Sequence, residues 1–380
     1  MGGELRVNVL MHFQFSTLNF QLTLIPNLAV TNHLPYNMSK ATSRNTTIQD
    51  IAKELNVTAA TVSRALNNHP RISEATRQAV AEVADRLNYT RNRVASSLRS
   101  GKTNVIGVII PSAKINFFGS VVHGIETMAN EQGYNVIIYQ SNEDTEHEKK
   151  GIQAFLSARV DGILASIAKD TTDISHYIEA RDKGVPIVFF DRTNDDTSIP
   201  YVVVDDFKGG YLATEHLIKQ GYKRIAHVSG QQHLKIFAER LRGYKAALKA
   251  HKLAFEKELV FAGNVSIDSG KEAVKYFLSL PEPPDAIFAV EDFTALGVIK
   301  ELKENKIKIP EEFGVVGFAN EEFDEHITPA LTSVDQQTVM MGKEAFNLIM
   351  DMINKKVVRN VDNKKVILEP LLQPRASSQR

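Results

Sequence analysis

No cysteine occurs in the 380 residues, which excludes disulfides and thiolate metal sites and suits the cytoplasm. Nor is there a surplus of charge. The 45 Lys and Arg are balanced by 45 Asp and Glu, so the whole chain carries no electrostatic signature of a nucleic-acid or membrane partner. Long apolar runs are also missing: the mildly apolar stretch from Leu18 to Val30 is broken by Pro26 and is too short to span a bilayer. It has neither the basic flank nor the small-residue cleavage site of an export signal. No Gly-x-Gly-x-x-Gly follows a strand pattern, no His-x-x-x-His pair occurs, and no serine sits in a Gly-x-Ser-x-Gly elbow, which removes the commonest dinucleotide, zinc and hydrolase signatures. Gly101-Lys102-Thr103 has the end of a phosphate-binding loop without its upstream glycine, and it precedes a strand, so it reads as linker. Carboxylate pairs such as Glu321-Glu322 read as solvated loop residues.

What is present is unevenly spread. Residues 46–104 hold nine Lys/Arg against five Asp/Glu, whereas residues 105–380 hold 33 against 39. A basic head on an acidic body fits phosphate binding at one end only. Within that head, Ile48, Ile51, Ala52 and Leu55 stand at i, i+3, i+4, i+7 and predict a helix. After a turn at Asn56-Val57, Thr58 is placed as the N-cap of a second helix with Val62, Ala65 and Leu66 as its buried stripe. Two short helices with so small a connector predict a helix-turn-helix, whose second helix enters the major groove. Its exposed face carries Thr61, Ser63, Arg64 and Asn67, all able to hydrogen-bond bases or phosphates. A third helix, capped by Ser73, runs through Val80, Val83, Ala84 and Leu87 and ends near Asn88-Tyr89. Taken alone, the pattern also fits an ordinary helical hairpin.

The segment that follows resolves the ambiguity. Arg91 to Thr103 is basic and polar and leads directly into the strand Val105–Ile110. Ile48-x-Asp50-Ile51-Ala52, Val57-Thr58-x-x-Thr61-Val62-Ser63-Arg64, Leu87-Asn88-Tyr89 and Asn92-x-Val94-Ala95-x-x-Leu98 together resemble the DNA-binding module of the lactose-repressor/galactose-repressor (LacI/GalR) family. That resemblance implies DNA contacts at Thr47, Thr58, Thr61, Ser63, Arg64, Asn67 and Tyr89, and hinge contacts at Asn92, Ala95 and Leu98. It also implies that the hinge becomes helical only on DNA, with Leu98 wedged between central base pairs from the minor groove. Interdomain packing is the alternative role for Leu98. Arg91 stands where the family usually has proline, which removes a rigid turn and adds a phosphate-binding charge.

Beyond the hinge, short β-branched runs alternate with amphipathic stretches. Strands are predicted at 105–110, 136–139, 162–165, 187–190 and 202–204, then at 224–229, 259–262, 286–290 and 315–318. Helices are predicted at 119–132, 145–158 and 174–183, then at 238–250, 269–280 and 295–305. Such alternation argues for parallel sheets covered on both faces, and two successive sets argue for two similar lobes. Ligands of such sheets bind at the carboxyl ends of the strands. The body is similar to the periplasmic sugar-binding proteins, as the regulatory core of LacI/GalR members is. The marks include Asn116-Phe117-Phe118, Phe189-Phe190-Asp191-Arg192, Arg240-x-x-Gly243-Tyr244 and Asp292-x-x-Ala295-x-Gly297. For an effector pocket the resemblance points to Ile115, Phe118, Asp191, Arg240 and Glu291, with Arg240 expected to begin a helix. An ion pair across the lobes, Arg240 with Asp191, is the alternative. Where the family commonly offers aspartate after the strand at 315–318, this chain has Ala319-Asn320, which puts a plain hexose in the standard pose in doubt.

The expected fold class is therefore α/β, with an N-terminal helix-turn-helix domain and a periplasmic-binding-protein-like core of two doubly wound parallel-sheet lobes. Residues 1–45 are expected to be a disordered extension outside the family, with Met38 as the natural start and a membrane anchor as the alternative. Residues 46–90 form the head, 91–104 the hinge and 105–380 the core. Lobe 1 is expected at about 105–203 plus 332–360, and lobe 2 at about 204–331 plus the C-terminal segment. The expected function is that of a cytoplasmic, sequence-specific transcriptional regulator, with repression as its expected sign. It would act as a homodimer on a pseudo-palindromic operator and be controlled by a small molecule, a sugar or sugar derivative. No metal, cofactor, membrane partner or enzymatic activity is expected. The rival is a solute-binding protein without a DNA role. A sugar-acting enzyme would need a paired acid and base, and Asp191 with Glu291 is the obvious pair.

Overall fold

Apolar spacing in the head produces three helices, α1 (Ile48–Glu54), α2 (Ala59–Leu66) and α3 (Glu74–Arg86). Ile51, Val62 and Val80 meet at their centre with no solvent exposure, flanked by Ala52, Ala65, Val83 and Ala84. Side-chain caps start them: Thr58 Oγ1 accepts from the Thr61 N–H at 3.1 Å and Ser73 Oγ from that of Thr76 at 3.3 Å. At α1, the Thr47 N–H and hydroxyl both donate to Asp50 Oδ2, at 2.8 and 2.7 Å. Asn56, Asn68 and Asn88 follow the three helices with φ of 50°, 51° and 47°. Asparagine tolerates that left-handed region better than most residues. The computed structural model describes residues 46–89, 102–194, 199–358 and 364–380. Its contacts divide the chain into a unit ending at Arg91 and another beginning at Asn92. The expected extension 1–45 and most of the hinge lie outside the described residues.

The described residues of the second unit form two six-stranded sheets. The first has the order β11-β5-β4-β3-β1-β2, from β1 (Val105–Ile110), β2 (Asn135–Gln140), β3 (Gly162–Ala165), β4 (Ile187–Phe190), β5 (Tyr201–Val204) and β11 (Lys365–Leu368). All its pairings are parallel, with Val108 opposite Ile138 on one side and Leu164 on the other. Val108, Leu164 and Val188 face α4 (Asn116–Glu131) and α11 (Thr338–Lys355), whereas Ile109, Ile163 and Phe189 face α5 (Thr145–Ala158) and α6 (Ser175–Asp182). Adjacent residues of one strand thus enter opposite cores, as the two-residue strand period requires.

The second sheet repeats the plan in the order β12-β10-β9-β8-β6-β7. Its strands are β6 (Ile225–Ser229), β7 (Val260–Ala262), β8 (Ala286–Ala289), β9 (Gly314–Ala319), β10 (Thr332–Asp335) and β12 (Leu371–Gln373). Among the described residues only β12, antiparallel to β10, departs from parallel pairing. Helices α7 (Asp206–Lys219) and α8 (Lys235–Ala250) cover one face, and α9 (Ile267–Leu278) and α10 (Asp292–Glu304) cover the other. Helices α7 and α8 approach so closely that a Cβ at Gly210 would collide with the Arg240 carbonyl, and one at Gly243 with that of Phe207.

The chain crosses between lobes three times: after β5, after β10, and between β11 and β12. This corrects the expected lobe boundaries. Residues 332–335 belong to the second sheet, where Val334 pairs with Phe318, and residues 365–368 belong to the first, where Val366 pairs with Val202. Edge and crossover strands this short carry no composition shift to betray which sheet they join. Helices α7 and α11 and strands β10, β11 and β12 were also not among the predicted elements. The crossings lie side by side. The Asp205 N–H donates to the Leu368 carbonyl at 3.0 Å, and Gln337 Nε2 to that of Glu369 at 2.6 Å.

Candidate DNA-reading surface and ligand cleft

Helix α2 buries Val62 and Ala65 and turns Arg64 and Asn67 to solvent. Thr58 and Thr61 share a hydroxyl–hydroxyl bond of 3.0 Å at its start, and Asn67 Nδ2 donates to the Ser63 carbonyl at 2.6 Å. Arg64 forms no ion pair with any described residue, so its fork of donors is presented outward. Thr47 is tied into the α1 cap, and Tyr89 packs half-buried against the head core. Asn92, Ala95 and Leu98 lie outside the described residues.

In the core, the five residues expected at a pocket line one cleft of 360 Å³. Each arrives there because the carboxyl ends of both sheets, and the first turns of the helices that follow them, open onto the same space. Ile115 and Phe118 come from the start of α4 beyond β1. Asp191 follows β4, Arg240 lies on α8, and Glu291 follows β8. The volume suits a small metabolite.

Arg240 departs from expectation. It is the sixth residue of α8 and not its first, because the helix begins at Lys235. Its partner is not Asp191. Nε donates to Asp206 Oδ1 at 2.8 Å, Nη1 to the Val290 carbonyl at 2.8 Å and Nη2 to Gln336 Oε1 at 3.1 Å. The guanidinium also lies 3.6 Å from the centre of the Phe318 ring, and the residue is 3% exposed. Asp206 follows the first crossing and Gln336 lies in the second, so Arg240 fastens two of the three crossings together. Asp191 instead accepts from Ser166 Oγ at 3.2 Å, with Arg192 Nε 3.9 Å away.

Burial sets the electrostatics. It pushes the Asp206 carboxyl up to about 6, against the opposing pull of Arg240, and raises Asp191 against Arg192 and Arg240. Glu291 is pushed to about 8, first by burial and then by the adjacent Asp292. Its Oε2 accepts from the N–H groups of Phe293 at 2.9 Å and Thr294 at 3.3 Å, so the same carboxyl caps α10. Asp292 and Asp324 are fully buried, and burial raises both.

Glu321 was expected to be solvated and is not. It is 7% exposed, lines the cleft, and accepts from Asn116 Nδ2 of the opposite lobe at 3.1 Å. Its position two residues after β9, at the carboxyl end of a parallel strand, was the available signal. Ile236, Phe237, Phe293 and Gln336 also line the cleft without having been singled out. At the departure from the family pattern, Ala319 faces the cleft, whereas Asn320 turns away to bond Ser333 and Arg375. Among the described residues, no cluster of His, Asp and Glu is arranged to hold a metal ion, and no helix is long and apolar enough to cross a membrane.

Two families match the chain. Residues 47–92 match the one described as bacterial regulatory proteins, lacI family, and residues 103–368 match periplasmic binding proteins and sugar binding domain of LacI family. The transcriptional repressor PurR of Vibrio atlanticus is 32% identical over 323 residues, which cover 85% of this chain and 95% of that protein. Catabolite control protein A of Priestia megaterium is 35% identical over 315 residues, 83% of this chain and 94% of its own. Among solved structures, the regulator CelR in complex with cellobiose has a TM-score of 0.65 at 29% identity, covering 88% of this chain and all of its own. The lac repressor dimer bound to operator and an anti-inducer has a TM-score of 0.78 at 24% identity, covering 89% and 100%, a likeness of fold.

Proposed function

Since this chain belongs to the LacI family of bacterial regulatory proteins, we propose that residues 46–89 read operator DNA and that the 360 Å³ cleft receives the small molecule that controls them. The chain is a DNA-binding transcriptional regulator of the repressor kind, acting as a dimer. In our reading, α2 lies in the major groove, with Arg64 reading a base and Thr58, Thr61, Ser63 and Asn67 contacting bases or phosphates. Thr47 and Tyr89 meet the backbone, and Asn92, Ala95 and Leu98 enter the minor groove.

The observation that carries the effector half is convergence: five residues chosen from separate parts of the sequence line one cleft, and each lobe supplies part of its wall. Ile115 and Phe118 give the apolar wall and Asp191 and Glu291 the polar contacts. Arg240, already engaged on three sides, acts from beneath the ligand by holding the crossings. A ligand between the lobes strengthens the closed arrangement marked by the Asn116–Glu321 bond. It can change operator affinity only by its differential affinity for the two lobe arrangements. A sugar derivative fits better than a plain hexose, because Ala319 offers no side-chain hydrogen bond. We read the cleft as a binding site and not a catalytic one: the Phe293 and Thr294 N–H groups fix Glu291 through Oε2 and Ser166 fixes Asp191 through Oδ2, which leaves the other oxygen of each to hold a ligand. The rival, a solute-binding protein, leaves the head without a purpose.

Gel-shift titration of the purified dimer on its own upstream DNA, at two salt concentrations and with a panel of sugars and sugar derivatives, tests both halves. Specific, salt-dependent retardation modulated by one compound is expected. Equal affinity for scrambled DNA would defeat the regulatory reading.

A further inference from the structure

The cleft wall contains three carboxyl groups, those of Asp191, Glu291 and Glu321, and two of its three cations, Arg192 and Arg240, are already matched within the protein. The Arg240 charge is opposed by Asp206 at 2.8 Å. Arg192 is opposed by Glu143 at 2.7 Å, with Asp191 at 3.9 Å. Lys114 is exposed. Among the described residues, Glu291 and Glu321 face the cavity with no cation paired to them: the first takes two backbone N–H groups and the second a neutral amide. The fully buried Asp292 stands next to Glu291 and adds like charge. The rest of the wall near this end is apolar and aromatic, with Phe293 beside Glu291 and Phe117 beside Asn116.

A phosphate or carboxylate placed there would gain no counter-charge from these acids, whose burial already favours the neutral form, and would disfavour their ionisation further in a partly desolvated site. An ammonium group would be attracted by both acids and by the aromatic faces. We propose that the compound bound in this cleft carries an amine, seated against Glu291 and Glu321, on an otherwise uncharged ring small enough for 360 Å³. This rests on reading the cleft as the effector site and narrows the chemical class of its occupant. Burial that raises Glu291 and Glu321 agrees with it, because an arriving cation supplies the counter-charge both acids lack.

The test is calorimetric and thermal-shift titration of the dimer with two matched sets of probes. One set is glucosamine, glucose and glucose 6-phosphate; the other is phenethylamine, phenethyl alcohol and phenylpropionate. The amine of at least one set should bind at least tenfold tighter than its neutral and anionic partners. Glu321→Gln should remove most of that preference, and Glu291→Gln, which keeps the helix cap, should do the same. Neutral or anionic probes binding as tightly as the amines would overturn the proposal, and so would silence from both amines. The cleft reading fails separately: if Ile236→Trp, which fills the cavity, leaves amine binding unchanged, the amine binds elsewhere. Melting curves without probe confirm that each variant is folded.

Discussion

Asp206→Ala isolates the role of the Arg240 clasp. The substitution leaves a guanidinium that is 3% exposed without its anionic partner, while the Val290 and Gln336 bonds remain. Removing one member of a buried pair costs about 3–5 kcal/mol, chiefly because the other charge stays buried. The Phe318 ring, 3.6 Å away, is present in parent and variant alike and cancels in the difference. Because the Val290 and Gln336 bonds still satisfy two of the guanidinium nitrogens, the loss stays at the lower end of that range, about 3 kcal/mol. At roughly 2 °C per kcal/mol for a domain of this size, the melting temperature should fall by about 6 °C. Replacing both partners, as Arg240→Leu with Asp206→Leu, removes the stranded charge and should recover most of the loss. The double variant should also lose effector control of DNA binding, because the two crossings are no longer fastened. Calorimetric melts beside gel shifts with and without effector make the measurement. A double variant that keeps full effector control would refute the clasp, whatever its stability; a single variant melting within a degree of the parent would refute the energetics.

Arg64→Ala should weaken operator binding by roughly 1–3 kcal/mol and relax preference at one symmetric pair of base positions; equal losses on every sequence would make Arg64 a phosphate contact. Leu98→Ala should weaken operator binding by a few kcal/mol and leave ligand affinity unchanged, and an unaltered gel-shift titration would reject the wedge. Glu291 has its folded pKa raised from 4.5 to about 8, so the stability it contributes at low pH is lost as pH rises through that window. Glu291→Gln should therefore melt close to the parent at pH 5 and above it at pH 8, by about 1 kcal/mol after allowing for solvent screening. A difference that does not change between the two pH values would contradict the raised pKa.

Much of the fold was legible because strand runs such as Val105–Ile110 and helix stripes such as Ile152 with Phe155 repeat at the periods their elements demand. Three errors lie at helix starts. Helices α4, α8 and α10 were each predicted to start three residues late, and those first turns hold Phe117, Phe118, Ile236, Phe237 and Phe293. Ile236 and Phe293 line the cleft and belong to no core cluster, so they break the core periodicity that marks the rest of α8 and α10, whereas Phe118 continues the Val121 and Ile125 stripe of α4. The pocket residues were found because they follow strand ends. Glu321 follows one too, yet a doubled glutamate looks like surface. The partner of Arg240 was missed because Asp206 lies across a crossover that the sequence does not announce.

The threefold crossing has a consequence for the order of synthesis. The head is one uninterrupted run and can fold once residue 89 has left the ribosome. The first lobe cannot, because Phe346, Ile349 and Ile353 of α11 complete its core and β11 closes its sheet. At 5–20 residues per second, the interval between β1 and β11 is roughly 15–50 s. Until α11 emerges near the end of it, Val108, Leu164 and Val188 have α4 over them but not α11. A chain stopped at Val334 therefore carries a finished DNA-reading head on an unfinished body. Proteolysis of ribosome-bound chains stalled there should cut the first lobe and spare the head, whereas protection of both would show that the lobe closes without its last helix.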